Sequence, residues 1–173
     1  MSPSRLWAPW RIGYLRRSLK PSFTRRCVFC EKGRSRADAR NLVLIRGRSG
    51  FCLLNLYPYS NGHLMVVPYR HVGELDRLRP EEWLDLHVLM RDAIDRLRRV
   101  MEPDGFNVGL NLGRAAGSGV PGHLHLHVVP RWVGDHNFMP IFSGTRVISQ
   151  SLGSAYRLLR GSASGRRQAK GRR

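Results

Sequence analysis

Cysteine is scarce in this sequence of 173 residues: Cys27, Cys30 and Cys52 are the whole supply. Three is too few, and odd in number, for a disulfide framework. Long apolar runs are missing too. Stretches such as Leu42–Ile45 and Leu64–Val67 are far shorter than the roughly 18 residues that cross a bilayer, and no apolar segment of a secretory signal opens the chain. These absences predict a soluble cytoplasmic protein with no membrane association. Acid is in short supply as well, with 12 Asp and Glu against 30 Lys and Arg and a net charge of +18. Residues 1–26 hold seven of the bases and residues 161–173 hold five, both without an acid. The middle, 27–160, keeps 18 bases against 12 acids, a balance of +6. The excess therefore sits on the ends, where it suits non-specific contact with polyanions or simply solvates the chain.

These shifts divide the chain into a basic aromatic arm, 1–26, a domain, 27–160, and a basic tail, 161–173. The tail has no apolar residue larger than alanine and is expected to be disordered. The arm carries Leu6-Trp7-Ala8-Pro9-Trp10-Arg11, and tryptophans so close together are costly to leave in water; they pack on their own domain or on another subunit. A hydrophobic content of 42% supports a real core. Glu31–Arg40 is polar and reads as a loop. Asn41–Ile45, Phe51–Leu56 and His63–Val67 read as strands separated by turns at 46–50 and 57–62. Pro80-Glu81-Glu82 opens a helix whose Trp83, Leu86, Met90, Ile94, Leu97 and Met101 recur at three- and four-residue steps as one buried stripe. Phe106–Asn111 and Leu124–Val129 supply two further strands around the glycine-rich 113–122. The order β-β-β-α-β-β predicts an α+β domain built on a five-stranded antiparallel sheet with one long helix.

Chemistry concentrates in His123-Leu124-His125-Leu126-His127. Alternate side chains of a strand face the same side, so the three imidazoles share one face and the leucines bury on the other. Packing alone is a poor reason for three such residues, because each ring nitrogen needs a partner when buried. Two functions fit the pattern. The rings could ligate a metal. Alternatively, one neutral imidazole attacks phosphorus while its neighbours fix its tautomer and donate hydrogen bonds to oxygens that gain charge. Cys27-x-x-Cys30 reads as a metal or redox pair, and Cys52, inside an apolar run, as inert core. His87 and His136 read as structural or solvated.

The run His123-Leu-His-Leu-His-Val-Val129, followed by Pro130-Arg131, resembles the signature of the histidine-triad family. Phe51–Leu56 and Gly62–His71 resemble that family's earlier strands, and the likeness covers about 27–132. It implies a triad of His123, His125 and His127 in which His125 is nucleotidylated and His127 contacts the phosphate. Asn55 falls where the family binds ribose and His63 close to the nucleotide. Asn111 and Gly117-Ser118-Gly119 fall where phosphates are held, and a glycine-rich turn is an anion cradle on physical grounds too. Some branches hold zinc at the positions of Cys27, Cys30, His71 and His123, a closed donor set typical of a structural site. The arm and Pro130–Phe138 are similar to a branch that includes bacterial diadenosine tetraphosphate phosphorylases. That implies adenylyl transfer from an adenine dinucleotide to inorganic phosphate, with ADP and ATP as products. His127 departs from the glutamine frequent at that place in nucleotidyl transferases. Hydrolysis of the same substrates, or of nucleoside phosphoramidates, to AMP is therefore the alternative. A non-catalytic basic nucleic-acid-binding protein is the alternative from outside the enzymes. The resemblance also implies a homodimer whose sheets join across the interface, and leaves any magnesium requirement open.

Overall fold

The computed structural model describes residues 27–135, 148 and 150–161; the arm, His136 and the tail after Gly161 lie outside them. β1 (Val43–Arg46), β2 (Gly50–Leu54), β3 (Leu64–Pro68), β4 (Gly105–Leu110) and β5 (Leu126–Arg131) form one antiparallel sheet in the order β1-β2-β3-β5-β4. The described α-helices are α1 (Val28–Arg34), α2 (Asp38–Asn41), α3 (Pro80–Met101) and α4 (Leu152–Gly161), with a short 3-10 turn at Leu75–Arg77. β5 enters between β3 and β4, so His127 sits mid-sheet, opposite Met65 on one side and Gly109 on the other.

β2 and β3 are buried along their whole length, because both faces of the sheet are covered there, and strands of that kind read as unbroken apolar runs. One face carries Cys52, Leu54, Leu64, Val66, Leu126 and Val128 against Leu86, Leu89, Ala93 and Leu97 of α3 and Ala155, Tyr156 and Leu159 of α4. The other carries Phe51, Leu53, Met65 and Val67 against Phe29 of α1. α3 begins where Glu82 accepts the Arg79 N–H at 2.9 Å and a two-pronged hydrogen bond from Arg70. That guanidinium, above all, holds the Glu82 carboxyl down at about 2.

Four expectations need correction. The polar Glu31–Arg40 is mostly helical: α1 buries only Phe29 and α2 buries nothing, so neither displays an apolar period. Asn41 closes α2 rather than opening a strand, Leu42 turns the chain with φ 58°, and β1 starts at Val43. Trp83 is 44% exposed; the buried arc of α3 runs through Leu86, Leu89, Ala93 and Leu97, with Trp83 on its flank. β5 starts at Leu126, two residues late, although the Leu124 N–H is already held by Val72 O at 2.7 Å. α4 was not foreseen. It covers the outer edge of β1, where Tyr156 O–H and Arg160 donate to Val43 O, while Arg96 of α3 donates to Leu159 O at 3.0 Å. Covering an edge removes a template for stray strand pairing. The outer edge of β4 has no strand partner among the described residues, and its Val108 is 45% exposed.

Candidate active site and metal centre

The three histidines of the His-x-His-x-His run hold their ring protons differently. His125 Nδ1 lies 2.9 Å from the backbone carbonyl of His123. A carbonyl only accepts, so the proton of the neutral ring is on Nδ1 and Nε2 keeps a lone pair. Burial lowers the His125 pKa, with the His123 carbonyl working against it, so the ring is neutral near pH 7. His127 is set by a chain of two bonds. The Tyr59 backbone N–H at 3.0 Å and the Asn55 side-chain N–H at 3.3 Å both donate to His63 Nδ1. His63 therefore carries its proton on Nε2 and donates to His127 Nδ1 at 2.9 Å, which leaves the His127 proton on Nε2. Burial first, and His125 second, push His127 down to about 4. Its Nε2 is buried without a hydrogen-bond partner among the described residues. One ring thus offers a lone pair and its neighbour, 5.0 Å away between centroids, offers a proton.

Both rings face a cavity of about 390 Å³, the size of a small-molecule site. Val28, Phe29, Leu53 and Met65 make it apolar on one side, Asn55, Tyr57 and Tyr59 close another, and Gly117 and Gly119 border the histidines. Phe29 lies 5.1 Å from the His125 ring. Gly62, with φ +73°, delivers His63 to the start of β3; a Cβ there would come within 2.6 Å of Met101 Sδ.

Beside this cavity, Cys27, Cys30, His71 and His123 place one donor atom each within 4.8 Å of one another. His123 Nδ1 is 3.2 Å from Cys27 Sγ and 3.6 Å from Cys30 Sγ, and His71 Nδ1 is 3.4 Å from Cys30 Sγ. Zinc bonds of about 2.3 Å to sulfur and 2.1 Å to nitrogen, set tetrahedrally, would hold S and N about 3.6 Å apart. The spacing fits. The outer nitrogen of His123 donates to Pro68 O at 2.9 Å, fixing the tautomer that turns Nδ1 toward the thiols, as ligating histidines usually require. Burial and the adjacent Cys27 raise the Cys30 pKa, a cost that a bound cation would remove.

Comparison with known proteins agrees with this geometry. The HIT domain family model matches residues 36–133. An AP-4-A phosphorylase of Mycobacterium tuberculosis is 46% identical over 160 residues, covering 90% of this chain and 82% of that protein. The chain belongs to the histidine-triad (HIT) family. A bis(5'-nucleosyl)-tetraphosphatase (asymmetrical) of Schizosaccharomyces pombe is 35% identical over 89 residues, 51% of this chain and 48% of the relative. Among solved structures, a zinc-bound histidine triad family protein from Mycobacterium smegmatis superposes with a TM-score of 0.65 at 27% identity, over 83% of this chain and 97% of that one.

In this HIT domain, His125, His127, Asn55, Gly117 and Gly119 border one cavity, and His63 stands behind His127. Asn111, just past β4, and the buried Ser118 are not among its lining residues. His123 turns its ring to the cysteines and gives His125 a hydrogen bond through its backbone carbonyl. His87 is exposed, in line with a solvated role. Sequence reasoning missed Val28 and Phe29, whose signal is an apolar pair inside the Cys27–Cys30 spacing. It also missed Tyr59, whose contribution includes a backbone N–H that no side-chain pattern reports.

Proposed function

We propose that this protein phosphorolyses diadenosine tetraphosphate to ADP and ATP through a nucleotidyl-histidine intermediate. The observation that carries the reading is the lone pair on His125 Nε2, fixed by the Nδ1–H bond to the His123 carbonyl and directed into a cavity. The 46% identity to a mycobacterial AP-4-A phosphorylase supports the choice of substrates, an adenine dinucleotide and inorganic phosphate. His125 Nε2 attacks an α-phosphorus, the P–N bond forms, and the bond to the bridging oxygen breaks to release ATP. Phosphate then attacks the same phosphorus from the vacated side, giving ADP and the free imidazole. Splitting one displacement into two lowers each barrier. His127 donates its Nε2–H to phosphate oxygens as they gain charge. Asn55 holds the ribose, and Gly117 and Gly119, which border the cavity, face the remaining phosphates, with Asn111 and Ser118 in the same loop but off the cavity wall.

Cys27, Cys30, His71 and His123 would hold structural zinc, which ties α1 to β3 and β5 and supplies no chemistry to the reaction. The thiolate ligands suit the reducing cytoplasm. The open edge of β4 favours a homodimer with a shared sheet, readable by sedimentation. The arm and tail would add non-specific contact with polyanions. Water as acceptor is the second reading, favoured by the likeness to a tetraphosphatase. Purified protein given diadenosine tetraphosphate with and without phosphate decides between them. A product that switches from AMP to ADP, with radiolabelled phosphate entering ADP, is the expected result. AMP release indifferent to phosphate would overturn it. Salt-sensitive nucleic-acid binding that His125→Ala leaves intact, without turnover, would put the protein outside the enzymes.

A further inference from the structure

We propose that Tyr59 is a positioning residue of this site: its ring roofs the His63–His127 pair against water, while its backbone N–H, together with the Asn55 side-chain amide, sets the direction of the hydrogen bond between them. The proposal rests on the nucleotidyl-transfer reading above. The Tyr59 ring is stacked on His127, with centroids 5.6 Å apart and planes 28° off parallel. It is tilted over His63 at 4.7 Å. Tyr59 is 45% exposed, whereas His63 is 0% and His127 8% exposed, so one side of the residue meets solvent and the other covers the two imidazoles. In the sheet, His127 is flanked by Met65 of β3 and Gly109 of β4, neither of which titrates. The titratable rings facing it are His125, His63 and Tyr59 itself.

Dryness matters here because of the proton arrangement. A second proton on His127 would go to Nδ1, opposite the Nε2–H of His63, donor against donor. The bond would break and His127 would lose the orientation that points its other N–H into the cavity. Burial is the main influence holding His127 near 4, and the residue that lies over the ring and itself meets solvent is Tyr59. Truncating it admits water without touching the histidines.

The test is imidazole ¹⁵N NMR on the full metal-loaded chain, titrated from acid to neutral pH, with the His127 signals assigned through His127→Gln. Wild type and Tyr59→Phe should keep His127 neutral, protonated on Nε2, down to acid pH. Tyr59→Ala and Tyr59→Ser, two variants because one could fail to fold, should raise the midpoint by at least about one unit toward the ordinary 6.5. The acid limb of kcat/KM should follow. A full return to 6.5 leaves about a tenth of the ring neutral at pH 5.5, hence about a tenfold loss against wild type at that pH. Truncated variants with the wild-type midpoint and tautomer would overturn the proposal. Wild-type protein that never labels His125 would instead sink the enzyme reading, and the titration would still decide the role of Tyr59.

Discussion

Replacing Cys27 and Cys30 by serine together is the sharpest perturbation, because beyond them α1 is held by Phe29 and, at its C-terminal end, by Arg46, which donates to Gly33 O and Ser35 O. The helix has seven residues, below the roughly 12–15 at which an isolated helix becomes marginal. Its one buried side chain is Phe29, worth about 1.5–3 kcal/mol. Structural zinc sites contribute about 10–16 kcal/mol of apparent binding energy, so a zinc held by this cluster would be the dominant tether. The larger core, between the sheet and α3 and α4, contains no residue of α1. Loss of the ligands should therefore melt residues 27–32 locally, up to the end that Arg46 holds, and spare the sheet. Two consequences reach the site: Phe29 leaves the side of His125, and the His123 carbonyl that holds the His125 proton loses the cluster as an anchor and keeps those at Pro68 O and Val72 O. A displacement of that kind is expected to lower kcat/KM about 100-fold. Metal analysis should find about one zinc per wild-type chain and none in the variant, with hydrogen exchange accelerated in α1 but not in β2 or β3. A metal-free variant with protected α1 amides and unchanged kcat/KM would refute the reasoning.

Removing the imidazole behind His127, in His63→Ala, leaves His127 Nδ1 without its donor. kcat should fall by about 10- to 100-fold, while ¹⁵N spectra report a mixed His127 tautomer; a unique Nε2–H tautomer in the variant would dismiss the relay. Stability should also depend on pH through His127. Its folded value of about 4 lies below the ordinary 6.5, so the unfolded chain binds the proton first. The contribution is present above 6.5 and lost as pH falls toward 4. Melting temperatures of wild type and His127→Gln should converge across that window, and parallel curves would contradict it. At the start of α3, Glu82→Gln should cost about 1–2 kcal/mol in denaturant unfolding, since it weakens the Arg70 pair and the bond to the Arg79 N–H. An unchanged midpoint would mean that neither contact matters.

The sheet was readable because β1 to β3 and β5 are apolar runs broken by glycine and asparagine turns, and α3 because its stripe repeats at helical spacing. Of the two features that escaped, one lacked a period of its own. α1 hangs on Phe29 and a cluster whose members are up to 96 residues apart in sequence. α4 does carry Leu152, Ala155, Tyr156 and Leu159 at helical spacing, a stripe that escapes notice because it spans only about two turns just before a basic tail. Trp83 was misplaced because helical spacing defines an arc and not which part of the arc meets the sheet.

The residue types and intervals of His123, His125 and His127 already determined that three imidazoles would share a face and that phosphorus or metal chemistry was at stake. Which ring would do which task could not be read there. Tautomers depend on acceptors and donors brought from elsewhere: the Pro68 and His123 carbonyls, the Tyr59 amide, the thiols of Cys27 and Cys30. Hydrogen bonds act over about 3 Å whatever the separation along the chain, so only folding could turn one ring toward the cysteines, leave the next with a lone pair on Nε2 and the third with a proton there.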